Sequence, residues 1–274
     1  MRFKLFPLLV FLALAGAALA DNYKDAVLRD QPFAYYRLSE SEDSQPVADE
    51  VGNNPGTFQN NPTTGAPGAI ANDPGDKAVT FDRAKVQSIQ LTNFANFGSS
   101  MSRGFTVEYW LKTSNSTDHQ TIFGTANGPG FITDFLSDIA YAGSKKRLRM
   151  YIRDNHKDRY EANWYPVGSN VNIFDNAWHH VVEIYAPKAS PTHKLQFYID
   201  GQRQTITLMH KDGTPVFSDF NHPLMLGAMD LRGTDPDHLD GSLDEVAFYT
   251  TVLTPEQIMN HYRASGAGDH LRRP

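Results

Sequence analysis

The stretch FTVEYWLK, Phe105–Lys112, alternates without a break. Phe105, Val107, Tyr109 and Leu111 fall on one side of an extended chain, and Glu108 and Trp110 fall on the other. A period of two, rich in aromatic and β-branched residues, is the pattern of a strand lying on a core. The pattern recurs along the chain. In RLRMYIR, Leu148, Met150 and Ile152 share a side. In KLQFYIDG, Leu195, Phe197 and Ile199 do so, and Asp200-Gly201 is a hairpin turn signal. KAVTF, SIQL, TIFGT, EANWYPV, WHHVVEIYA, TITLM, PLMLG and SLDEVAFY complete a run of short segments separated by turn residues. Many short strands with no helical crossovers predict an all-β sandwich or barrel.

The ends differ from this middle. DNYKDAVLRDQP reads as a short helix in which Tyr23, Ala26 and Val27 share a face and which Pro32 stops. FAYYRLSE, from Phe33, reads as a strand. Residues 49–74 are rich in Gly, Asn, Pro and Thr and read as turns with one or two short strands. A last helix is predicted after Thr254. That residue suits an N-cap, Pro255 suits the first helical position, and Gln257 completes a capping box. Ile258 and Tyr262 form its apolar stripe, and Gly266 ends it. Residues 267–274 read as a tail, and 21–266 as one domain.

Residues 1–20, MRFKLFPLLVFLALAGAALA, have a basic start, a short apolar run and Ala18-Leu19-Ala20. This is the layout of a cleaved signal peptide and predicts a periplasmic or extracellular protein. No second apolar run is long enough to span a membrane. The chain has no cysteine, which excludes disulfides, thiolate metal sites and a cysteine nucleophile. Without residues 1–20 it carries 23 basic and 31 acidic residues, a net charge of −8, which argues against a nucleic-acid partner. No His-x-x-x-His, phosphate-loop or Gly-x-Ser-x-Gly motif occurs.

Several pieces taken in order, DAVLRDQPFAYYRLSE, DEVGNNPGTF, GAPGAIANDPGDKAVTFD, FTVEYWLK, WHHVV, LQFYIDGQ and GSLDEVAFYTTVLTPEQIMNHY, resemble bacterial LamG-like jellyroll domains of the concanavalin A-like lectin/glucanase superfamily. The resemblance covers nearly all of residues 21–274. It implies two antiparallel sheets, one concave and one convex, packed as a jellyroll sandwich. Function stays open, because such a fold hosts lectins, glycosidases, lyases and adhesion modules.

Two candidate sites follow. In GSLDEVAFY, Gly241–Tyr249, adjacent acids interrupt a strand that enters a core. Regular alternation would place Asp244 with Val246 and Phe248, and Glu245 with Leu243, Ala247 and Tyr249. The resemblance implies one structural Ca2+, with Asp49, the Gly52 carbonyl, Asn53 and Asp244 as the matching ligands. The alternative is that Asp244 accepts backbone N–H groups of that loop with no metal. Glu245 reads as a locally bonded or solvated residue, and Asp235, Asp237 and Asp240 as a solvated acidic loop.

The second site is the face opposite the alternating core residues. It collects Glu108, Trp110, Arg149, Tyr151 and Arg153, with Glu161, Asn163 and Tyr165 on the next segment. With Trp178, His180 and Val182 turned inward, Glu183 and Tyr185 join it. Aromatic rings stack on sugar faces, and Arg, Asn and Glu hold hydroxyls. On a concave sheet this set predicts a non-catalytic carbohydrate-binding protein. The alternatives are an ordinary solvated face, protein–protein adhesion, and a glycoside hydrolase or polysaccharide lyase. The Glu-x-Asp-x-Glu motif of the superfamily's glucanases is absent, leaving Glu108 and Glu183 as the candidate carboxylate pair.

Overall fold

The fold is known from a computed structural model that describes residues 22–114, 119–125, 134–142, 145–166, 169–229 and 237–267. The leader at 1–20, Asp235 and most of the predicted tail lie outside the described residues. Helix α1 (Tyr23–Arg29) is capped by Asn22, whose side chain accepts from the Asp25 N–H. Strands β1 (Ala34–Tyr36), β2 (Gly56–Gln59), β3 (Thr63–Pro67), β4 (Lys77–Phe81) and β5 (Ser88–Leu91) lead to helix α2 (Ala95–Ser100). Then come β6 (Phe105–Lys112), β7 (Gln120–Thr125), β8 (Asp134–Ala142), β9 (Lys145–Arg153) and β10 (Arg159–Trp164). They are followed by β11 (His179–Tyr185), β12 (Leu195–Ile199), β13 (Gln202–Arg203), β14 (Thr207–Asp212), β15 (Leu224–Leu226) and β16 (Gly241–Tyr249). Helix α3 (Pro255–Ala264) closes with the predicted capping box. Gln257 N donates to Thr254 Oγ1 at 3.2 Å, and Thr254 N to Gln257 Oε1 at 2.9 Å.

The strands form two antiparallel sheets of eight, the sandwich that the alternation predicts. The first runs β13-β12-β11-β6-β16-β4-β3, with β1 also paired to β16. The second runs β14-β10-β9-β8-β7-β15-β5-β2. Every predicted strand is present. Sequence alternation does not single out β8 or α2.

The inner faces meet in one aromatic-rich core. Phe105, Val107, Tyr109 and Leu111 of β6 all point into it, as predicted. Phe97 of α2 plugs one end, with its ring 5.7 Å from Phe94 and Phe248 and 5.8 Å from Phe135. A second apolar layer lies on the outer side of the first sheet. There α1 and α3 bring Tyr23, Val27, Ile258 and Tyr262 onto Trp110, Val182, Ile184, Ala247 and Tyr249. Trp110 stacks on Tyr262 at 6.1 Å and meets Tyr23 edge-on at 6.3 Å.

This layer corrects two expectations. Trp110 is 1% exposed beneath the helices and offers no ring to a ligand. Strand β11 also runs in the opposite phase from the one predicted. Glu183 lies opposite Val107 and Tyr185 opposite Phe105, so both point inward, while His180 and Val182 lie under the helices. The cause is burial of β11 on both faces. All seven of its residues are buried, so polarity no longer marks the inner side.

Trp110→Ala should therefore act on stability. We expect a loss of about 3–5 kcal/mol, the usual range for deleting a buried large aromatic, measured by urea unfolding of residues 21–274. A change near zero would mean that the helices do not cover this face in solution.

Candidate functional site

The acids of β16 owe their position to an irregularity of the backbone. Along β6, Asp244 pairs with Trp110 but Ala247 pairs with Glu108, so β16 carries one extra residue. This is a β-bulge. Glu245 sits in it with φ +50°, a left-handed conformation that is strained for a residue with a Cβ. Leu243, Val246 and Phe248 reach the inter-sheet core. Asp244 takes the outer side with Ala247, not the side of Val246 and Phe248 that regular alternation assigns. Glu245 joins Asp244 in one buried group.

That group contains a third acid, Asp76. Ligand oxygens of Asp76, Asp244 and Glu245 lie within 4.8 Å of one another, and all three residues are buried. Asp244 Oδ2 accepts from Ala69 N at 2.7 Å, and Asp76 Oδ2 from Ile70 N at 2.9 Å. A Cβ on Gly68 would stand 2.1 Å from Asp76 Oδ2 and 2.9 Å from Asp244 Oδ2, so only glycine lets the two carboxylates close in. The local cation is Arg37. Its Nε donates to Glu245 Oε1 at 2.9 Å, and one terminal nitrogen reaches Asp73 at 3.0 Å and Asp76 Oδ1 at 3.1 Å. Tyr35 Oη donates to the other Glu245 oxygen.

One arginine does not neutralise three buried acids. Burial pushes Glu245 up to about 8 against the pull of Arg37 and Tyr35. Burial, with Glu245 and Asp76 alongside, raises Asp244 well above the usual carboxylate range. Asp244 Oδ1 is buried with no partner. Clustered carboxylate oxygens, one of them unpaired, are the donor chemistry of a hard divalent cation, so this group fits calcium. A cleft of about 380 Å3, lined in part by Arg37, Ile70 and Asp73, lies beside it.

The predicted partners of Asp244 are elsewhere. Asp49 accepts from the backbone N–H groups of Tyr35, Val51, Asn53 and Asn54 and from Asn54 Nδ2, all at 2.9–3.1 Å. Five donors leave its carboxylate no free lone pair. Gly52 and Asn53 belong to this self-contained turn, with Gly52 at φ +94°. The loop that reaches Asp244 is 68–76, and Glu245 is neither solvated nor merely locally bonded.

The two candidate catalytic acids are also separated. Glu108 points outward from β6 and accepts from Tyr23 Oη at 3.0 Å and from His261 Nδ1 of α3 at 2.9 Å. His261 Nε2 lies 2.9 Å from Asp30. Burial opposes both charges, yet His261 holds Glu108 well below its usual range, and Glu108 with Asp30 raises His261. Glu183 points inward, accepting from Tyr109 Oη at 2.6 Å and Ser137 Oγ at 2.5 Å. Burial lifts it to about 8. Standing on opposite faces of one sheet, Glu108 and Glu183 cannot flank a glycosidic bond.

The outer face of the second sheet keeps the remaining candidates together. Arg149, Tyr151 and Arg153 alternate with buried Leu148, Met150 and Ile152 on β9. On β10, Glu161 lies opposite Tyr151 and Asn163 opposite Arg149. From β8, Asp138 takes Arg149 in a two-pronged ion pair, and Asp134 takes Arg153 at 2.5 Å. Asn163 is fully buried, and neither its nitrogen nor its oxygen has a partner. Thr207, its cross-strand neighbour, lines a cleft of about 510 Å3 with Tyr165, Ser169 and Gln204. Glu108, Trp110, Glu183 and Tyr185 are not part of this face.

The profile of the Laminin_G_3 family, described as concanavalin A-like lectin/glucanases superfamily, matches residues 83–259. The chain belongs to this family. No curated protein matches the chain in sequence. Among solved structures, this Laminin_G_3 chain is similar to Domain 4 of AbnA, a GH43 extracellular arabinanase from Geobacillus stearothermophilus, in complex with arabinotriose. That match has 20% identity and a TM-score of 0.54, and covers 84% of this chain and 97% of that one. It is also similar to the binding domain of botulinum neurotoxin DC in complex with rat synaptotagmin II, at 15% identity and a TM-score of 0.60, over 86% of this chain and 52% of that one. A botulinum neurotoxin type C structure, whose cell entry depends on two ganglioside molecules, matches at 12% identity and a TM-score of 0.60, over 88% and 53%. The Laminin_G_3 chain thus spans about half of the neurotoxin chains. At these identities the likeness shows the fold.

Glu183 supplies a pH test. Its folded value of about 8 exceeds its ordinary 4.5, so the folded state binds the proton more tightly. Its contribution to stability is complete below about pH 4.5, declines as pH rises towards 8, and is level beyond. Glu183→Gln cannot ionise. Urea unfolding between pH 5 and 9 should show a shallower loss for the variant, and parallel curves would show that Glu183 keeps an ordinary carboxylate affinity in the fold.

Proposed function

We propose that the chain is an exported, non-catalytic carbohydrate-binding domain whose ligand lies on the outer face of the second sheet. The observation that carries this reading is the row Arg149, Tyr151 and Arg153, part-exposed on the outer side of β9. Tyr151 supplies a ring to stack on a sugar. Arg149 and Arg153, fixed by Asp138 and Asp134, supply oriented N–H donors. The arabinanase domain in complex with arabinotriose supports the ligand class by fold. The layout of residues 1–20 supports export, and the separation of Glu108 from Glu183 supports a binding role over catalysis.

Titration of residues 21–274 with neutral and acidic oligosaccharides by calorimetry tests this. Binding is expected, and Tyr151→Ala should weaken it by about tenfold or more without lowering the melting temperature. Silence across the panel would overturn the proposal. Full affinity in the variant would move the site off this face.

A second proposal concerns the acids of β16. Asp76, Asp244 and Glu245 hold one structural Ca2+, sharing Asp76 and Glu245 with Arg37, and the unpaired Asp244 Oδ1 is the observation that favours it. Binding requires ionised carboxylates, so calcium added at pH 6.5 should release protons and raise the melting midpoint, and EDTA should reverse both. Asp244→Asn should remove both responses. Identical midpoints with calcium and with EDTA would dismiss the ion.

A further inference from the structure

Three arginines and three acids on the outer face of the second sheet are paired. On β9, Arg147 lies 4.0 Å from Glu161, Arg149 holds Asp138 with two prongs, and Arg153 holds Asp134 at 2.5 Å. These three pairs cancel. His210 of β14 lies 3.8 Å from the second oxygen of Glu161, and Arg159, opposite Arg153 at the end of the ladder, has a partner of its own. The groups are drawn in rather than solvated, with 19% exposure for the Arg149 side chain, 11% for Arg147, 10% for Glu161 and 5% for Asp138. Asp138 and Asp134 are thus more buried than the part-exposed Arg149 and Arg153 that they hold.

Resting on the carbohydrate reading above, we infer that this face selects uncharged glycans and rejects acidic ones, with Asp134 and Asp138 as the specificity-determining residues. The charges lead there. A sugar carboxylate or sulfate that approaches Arg149 or Arg153 meets a paired carboxylate on the same guanidinium, in a half-buried setting where salt screens poorly. A hydroxyl approaching the same arginine takes an unused N–H and carries no charge for the acid to repel. Discrimination is thus built from repulsion as well as attraction.

The test compares neutral oligosaccharides, arabinotriose among them, with sialyllactose and oligogalacturonate, using residues 21–274. The neutral probes should bind about tenfold or more tightly than the acidic ones, with less than about a twofold change between 50 and 500 mM NaCl. Asp138→Asn frees Arg149, and Asp134→Asn frees Arg153. In either variant the neutral-to-acidic ratio should fall by about tenfold and acidic binding should become salt-sensitive. Melting curves identify whichever variant folds, and one folded variant suffices. Tighter binding of acidic probes by the unaltered protein, or an unchanged ratio in a folded variant, overturns the inference while leaving the carbohydrate reading intact. Absence of binding to every probe overturns both.

Discussion

The bulge in β16 is the constraint on which the first sheet depends. This strand is central, pairing with β6 on one side and with β4 and β1 on the other. Its extra residue keeps Leu243, Val246 and Phe248 in the core while gathering two acids outside it. Without the bulge, Asp244 and Glu245 would take opposite faces and one would enter the core. The left-handed backbone at Glu245 is the local strain, and the bonds from Arg37 and Tyr35 offset it. Those bonds also fasten the first strand of the chain to the last. The buried Glu108–His261–Asp30 chain fastens α3 to the sheet and to the end of α1. The outer side of the first sheet is thus closed by polar contacts set around an apolar layer.

The sandwich was legible because its inner positions obey a period of two. Phe105, Val107, Tyr109 and Leu111 face the core as their alternation predicts, and the capping box of α3 forms as Thr254 and Gln257 predict. Strand β8, DFLSDIAYA, was hidden by Asp134 and Asp138, acids depleted in strands that here lie opposite Arg153 and Arg149. The direction of Glu183 was hidden for a different reason. Under α1 and α3 the first sheet is apolar on both sides, so composition ceases to report direction. Asp244 was recognised as a residue in need of a partner, but a bulge shifts phase by one residue and composition does not mark it. Asp76, 168 positions earlier, carried no signal except its place after a Gly/Asn/Pro-rich loop.

The two outer faces therefore differ in kind. On the outer side of the first sheet the acidic group holds an unpaired carboxylate oxygen, the donor chemistry of a cation. On the outer side of the second sheet Arg149 and Arg153 are held by acids. The two groups lie on different sheets, with the inter-sheet core between them. A cation held at β16 would act on the proposed glycan face only through the rigidity of the whole sandwich. Under the two proposals, binding and stabilisation are separable.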